Sequence, residues 1–151
     1  MPSIQHVSSF AQASLGAYAA ELLAGVDNSL AYADPAVGMS RAQANAFDAT
    51  FAVLQQSAPS IDGFSAVLLQ NRTTGEKVLA IAGTDPGSLG DLITDFVDIG
   101  VLGTVGNMAQ YRSLETFHAQ LVSTGLIGAG EQIVVTGHSL GGFLAQAFTA
   151  R

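Results

Sequence analysis

Gln132-Ile133-Val134-Val135-Thr136-Gly137-His138-Ser139-Leu140-Gly141-Gly142 is the stretch on which the reading of the fold turns. Its β-branched start predicts a buried strand over Gln132 to Thr136, and the strand runs without a spacer into Gly-x-Ser-x-Gly. An apolar helix is expected to begin at once on the far side. The five-residue pattern alone occurs by chance; strand, sharp turn and helix in that order make it specific. Glycines at 137 and 141 leave room for the turn, and Gly142 lets the helix pack close. The helix start points free amides and the positive end of its dipole at whatever oxygen reacts there. Ser139 then projects its hydroxyl as a nucleophile, and the backbone N–H of Leu140 becomes one oxyanion donor. The plainer alternative is a glycine-rich turn carrying a solvent serine.

Upstream, Ser65 to Gln70 and Lys77 to Ala82 are β-prone runs around the turn-rich Asn71-Arg72-Thr73-Thr74-Gly75, which predicts a hairpin. Gly83-Thr84-Asp85-Pro86-Gly87 breaks the second strand, and Ser88 is placed to cap a helix through Leu92, Phe96 and Ile99. Nearer the N-terminus, Val7, Ala11, Leu15, Tyr18 and Leu22 recur at helical spacing over residues 3–24, with Ser3 as cap and Gly25 as stop. Ser40 and Gln43 form a capping box for a second helix, in which Phe47, Phe51 and Leu54 share a face and which Pro59 stops. Tyr111 to Thr124 predict a further amphipathic helix. Hairpin, helices, then a strand leading into a helix give an α/β plan in one domain, residues 1–151.

The segment Val134 to Gly142 resembles the elbow of the class 3 lipases, the fungal-type triacylglycerol lipases and their bacterial relatives. A second segment, Ala80-Ile81-Ala82-Gly83-Thr84 followed by Asp91-Leu92-Ile93-Thr94-Asp95, is similar to that family's strand, oxyanion loop and Asp-bearing helix. The two stand in the family's order, and the likeness covers most of residues 60–151. It implies an α/β-hydrolase fold, of which this chain carries the N-terminal part, and carboxylic-ester hydrolysis on lipid-like substrates through an acyl-serine. It also implies Thr84 as the second oxyanion donor; the alternative is a threonine that only caps a turn. The chain departs from the pattern at Ala82, where the family usually has arginine. No cofactor is required by this chemistry.

A serine nucleophile needs a base, and in α/β-hydrolases an Asp or Glu and then a His follow it. The twelve residues after Ser139 contain no Asp, Glu or His. His138 is expected to pack or hydrogen-bond behind the turn, His118 to be structural or superficial, and His6 carries no signal. The expectation is that acid and base lie beyond residue 151 and that the C-terminal strands are absent. The competing expectation is a catalytically inactive hydrolase fold used for binding or assembly.

Composition narrows the partners. Net charge is −7 with five Lys and Arg in total, so phosphate backbones would be repelled and nucleic-acid binding is not expected. Cysteine is absent, which excludes disulfides and thiolate chemistry. Hydrophobic residues make up 48% and charged ones 11%, yet no run is long enough to span a bilayer. Such a surface fits contact with a lipid interface or a covering partner. Met1 to Val7 lack the features of a cleaved signal, which leaves secretion by another route or a cytoplasmic location open. Asp91, Asp95 and Asp98 share a helix face, read as a helix-start and solvated set in preference to a cation site. The small, glycine-rich residues 100–110 read either as a lid or as a connecting loop.

Overall fold

Asn71 folds the hairpin at the centre of the sheet. Its side-chain oxygen accepts the N–H groups of Thr73 and Thr74 at 2.9 and 3.0 Å, and Gly75 takes the positive φ of +76° that closes the turn. The flanking strands are β2, Ala66–Asn71, and β3, Lys77–Ile81, antiparallel with Gln70 opposite Lys77 and Ala66 opposite Ile81. The computed structural model describes residues 3–83 and 99–150, with side chains in the second stretch described from residue 109 onward. Ser88 to Asp98, with the helix expected there, and the three aspartates lie outside the described residues.

Strand β1, Phe51–Gln56, adds antiparallel to β2 with an irregularity between Val53 and Gln55. On the other side β4, Val134–Gly137, lies parallel to β3, with Val78 opposite Val134 and Ile81 opposite Gly137. The described sheet is therefore mixed, in the order β1-β2-β3-β4. A parallel neighbour needs a long crossover, and helix α4, Ile99–Ser123, lies within it. The other helices are α1, Ile4–Gly16; the single turn α2, Ser29–Tyr32; α3, Arg41–Thr50; and α5, Leu140–Thr149.

Alternation along the strands divides the core in two. Val67, Leu69, Val78 and Ala80 face Ala13, Ala17, Tyr32 and Phe47 on the side of α1 and α3. Leu68, Leu79 and Ile81 face Leu114, Phe117 and Leu121 of α4 and Leu144 of α5. Both faces of the two central strands are thus covered, giving an α/β layered architecture. Strand β4 stands at an edge of the described sheet and is half-buried at all four positions. No described helix is long and apolar enough to cross a membrane.

Three expectations are corrected. Helix α1 starts at Ser3 as read, the serine oxygen accepting from His6 N–H at 3.3 Å, but it ends at Gly16 instead of running to residue 24. Its buried side is Ala13, Ser14 and Gly16, whereas Val7 and Leu15 are exposed. The reason is proximity: a Cβ on Gly16 would come within 3.0 Å of the Phe47 ring, so small residues must face the core. The capping box on α3 forms, with Gln43 N–H to Ser40 at 3.2 Å and Ser40 N–H to Gln43 at 2.9 Å. However, α3 stops at Thr50, and Phe51 and Leu54 belong to β1, where pairing with β2 overrides their helical spacing. Residues 100–110, expected as loop or lid, have helical backbone continuous with Tyr111 to Ser123. Three glycines cost this segment helix propensity, but the intervening residues are helix-compatible and no proline interrupts it.

Candidate active site

The elbow is built by collision. A Cβ on Gly137 would strike the carbonyl of Gly141, and one on Gly141 would strike the carbonyl oxygen of Ile81 in β3. The start of α5 can approach β3 and β4 this closely only because both positions carry a hydrogen. Between them Ser139 adopts φ 55°, ψ −126°. Among the described residues only Ser139 and Glu21 have positive φ without being glycine. Such a conformation costs on the order of 1–3 kcal/mol, and it persists where the surroundings over-determine it. The elbow strand and helix, read from sequence as Gln132 to Thr136 and onward, are displaced by a residue or two at the strand.

The turn consumes some donors and leaves others. Gly141 N–H donates to the carbonyl of His138 at 3.0 Å, and Gly142 and Phe143 N–H donate to the carbonyl of Ser139 at 3.0 and 3.2 Å. The Leu140 N–H has no acceptor among the described residues, as expected of a group one position inside a helix. Ser139 is exposed, and among the described residues no side chain hydrogen-bonds its hydroxyl. Its neighbour His138 is exposed too, so the expectation that this ring packs behind the turn is not met.

The other histidines are engaged elsewhere. His6 stacks on Phe10 with ring centroids 5.8 Å apart, and His118 of α4 meets the Phe148 ring of α5 at 5.0 Å. Among the described residues none of the three is hydrogen-bonded to Ser139, and no group of three or more acidic or histidine side chains could hold a metal ion. Thr84 lies outside the described residues. Its predecessor Gly83 is buried at the exit of β3, and a Cβ there would fall 2.7 Å from the His138 carbonyl oxygen and 3.3 Å from Leu140 N. The segment leaving β3 therefore stands against the elbow at Gly83.

Sequence reading missed two groups near this end of the sheet. Tyr18, assigned to a helix face, sits past the end of α1, and its hydroxyl oxygen accepts Gly83 N–H at 3.1 Å. Gln56, at the end of β1, donates to Ala19 carbonyl at 2.7 Å and accepts Leu22 N–H at 2.8 Å, holding the segment after α1 in place. Neither contact has a local signature, because the partners are more than thirty residues apart. No protein-family profile, curated protein or solved structure matches this chain.

Proposed function

We propose that this chain carries the nucleophile and part of the oxyanion hole of a serine carboxylic-ester hydrolase of the lipase or esterase type, in an α/β-hydrolase fold. One observation carries the reading: Ser139 is held at φ 55°, ψ −126° between a strand and a helix start, exposed, beside an unspent Leu140 N–H. Strain maintained at an exposed serine, with a helix dipole behind it, is the arrangement that acyl transfer requires. The resemblance of residues 60–151 to class 3 lipases supports the substrate class, lipid-like esters.

In this mechanism Ser139 Oγ adds to the ester carbonyl while its proton passes to a base. The Leu140 amide, and by resemblance that of Thr84, holds the negative oxygen of the tetrahedral intermediate. Collapse expels the alcohol and leaves an acyl-serine; water then attacks it, releasing the acid and returning the proton to Ser139. Among the described residues none of His6, His118 and His138 hydrogen-bonds the serine, which speaks for a base other than these three. The same observation favours a second reading, a hydrolase fold without catalysis that serves in binding or assembly.

A fluorescent fluorophosphonate, offered with and without imidazole as a diffusible base, separates the two. The Ser139 oxygen forms a bond to phosphorus, fluoride leaves, and imidazole takes the serine proton. Labelling that needs imidazole and disappears in Ser139→Ala supports the hydrolase with a base from elsewhere. Labelling without imidazole means that one of the chain's own histidines serves. A chain with a folded far-UV spectrum that labels in neither condition favours the binding module.

A further inference from the structure

Helix α1 turns its larger side chains away from the protein. Ile4, Val7, Ala11 and Leu15 follow one another at steps of three or four residues, so they form one stripe, on the side of the helix opposite the buried Ala13. Ile4 is 89% exposed, Val7 57% and Leu15 37%, with Ala11 exposed between them. Single exposed apolar residues need no explanation, but a continuous row along about 20 Å of helix does. The row carries no charge. Residues 1–20 contain no Asp, Glu, Lys or Arg, and all 12 acidic residues of this chain of net charge −7 lie from Glu21 onward. His6, the one titratable side chain of α1, is on the core side, stacked on Phe10. By contrast Leu23, Val26 and Leu30, also exposed, are interleaved in sequence with Glu21, Asp27 and Asp34.

We propose that this stripe is a self-association face, on which two copies of the chain pack α1 against α1, antiparallel, about a twofold axis. Charge selects the occupant. Two bodies of net charge −7 repel wherever their acids are brought together, and α1 lets them meet with no acid in the seam. The same net charge would be repelled by an anionic bilayer, and helices that lie on membranes carry Lys or Arg on their polar face, of which α1 has none. The spacing is also self-complementary. With the axis passing α1 near residue 9, Ile4 meets Leu15 of the partner subunit, and Val7 meets Ala11 of the partner subunit, large against small. Ala11 thereby lets the helix axes come to the closer end of the usual range of about 8–10 Å. One helix face is short of the roughly 1,600 Å² that a standard interface buries, so the dimer is weak and forms with rising concentration.

Sedimentation equilibrium of the whole chain, from about 10 µM to about 1 mM, is the test. The weight-average mass is expected to rise from 15.4 kDa toward twice that value. Ala11→Glu sets a carboxylate in the seam close to its symmetry mate and should raise the dissociation constant at least about tenfold. Because Ala11 is exposed, the far-UV spectrum of this variant should match that of the natural chain. The register is read by cross-linking, which the absence of cysteine makes clean. Chains carrying Ile4→Cys, mixed with chains carrying Leu15→Cys and oxidised, should link to each other in preference to themselves. In the antiparallel pair the two copies of residue 4 stand about 16 Å apart along the axis, too far for a disulfide. A natural chain that stays at 15.4 kDa throughout would overturn the proposal, and flotation of that monomer with phosphatidylcholine vesicles would hand the stripe to lipid instead. Dimerisation of Ala11→Glu at the natural strength would overturn it too, as would preferential self-linking of the Ile4→Cys chain.

Discussion

Replacing Ser139 by glycine is expected to stabilise the fold, and replacing it by alanine is not. The serine is exposed and its hydroxyl has no described partner, so truncating it removes no contact. What remains is its backbone, at φ 55°, ψ −126°. Alanine retains a Cβ and the full strain of about 1–3 kcal/mol; glycine adopts that region without it. Against this gain, glycine adds conformational freedom to the unfolded chain, roughly 0.5–1 kcal/mol. The net gain is then about 1 kcal/mol, which for a domain of this size raises the melting temperature by roughly 2–4 °C. Thermal unfolding followed at 222 nm, with urea titrations to give free energies, would measure it. If Ser139→Gly melts at or below Ser139→Ala, the elbow is not strained and the principal support for a functional Ser139 is lost. A gain in Ser139→Gly accompanied by loss of fluorophosphonate labelling would be the signature of a site that trades stability for activity.

Two further outcomes follow from contacts away from the serine. Gln56→Ala strands Leu22 N–H and Ala19 carbonyl, both in a half-buried segment, and is expected to cost about 1–3 kcal/mol in urea unfolding. Fluorophosphonate labelling should slow as well, since the same segment carries Tyr18, whose hydroxyl holds Gly83 beside the elbow. Asp62 ties the loop after β1 to α4. Burial pushes its carboxyl up, but hydrogen bonds from Ser113 at 2.6 Å, from Ser60 and from Phe64 N–H at 2.9 Å outweigh burial and hold it below the ordinary value. A folded-state pKa lower than the unfolded one contributes stability above the unfolded value, near 4, that is lost as pH falls through the folded value. The stability difference between the natural chain and Asp62→Asn should therefore be flat from pH 7 to about 5 and shrink below about 4. A difference independent of pH across that range would mean that the carboxylate's charge plays no part.

Most of what could be read from the sequence concerns residues that act on near neighbours. Asn71 and Gly75 close their turn within five positions, Ser40 and Gln43 cap α3 across three, and Gly137, Ser139 and Gly141 make the elbow from a five-residue pattern. The misreadings have the opposite character. Phe51 and Leu54 continue a helical spacing from Phe47, yet they pair with β2, whose residues Leu69 to Asn71 lie well downstream. Val7, Ala11 and Leu15 form a respectable apolar stripe, yet α1 presents its small residues to the core because the Phe47 ring leaves space for nothing larger. The histidines illustrate the same division. Their absence from the region after Ser139 was visible at once, whereas the engagement of His118 with Phe148 depends on how α4 and α5 meet.

By itself, then, the sequence determined the central hairpin, the capped start of α3, the strand-turn-helix order around Ser139 and a net charge of −7. Each depends on backbone geometry or charge set by a few adjacent residues. Only the tertiary structure decided which face of α1 is buried, where α3 gives way to β1, and that Tyr18 reaches Gly83 across sixty-five positions. Burial and long-range hydrogen bonds are properties of pairs of elements, and a pair has no partner to be read against until the chain has folded.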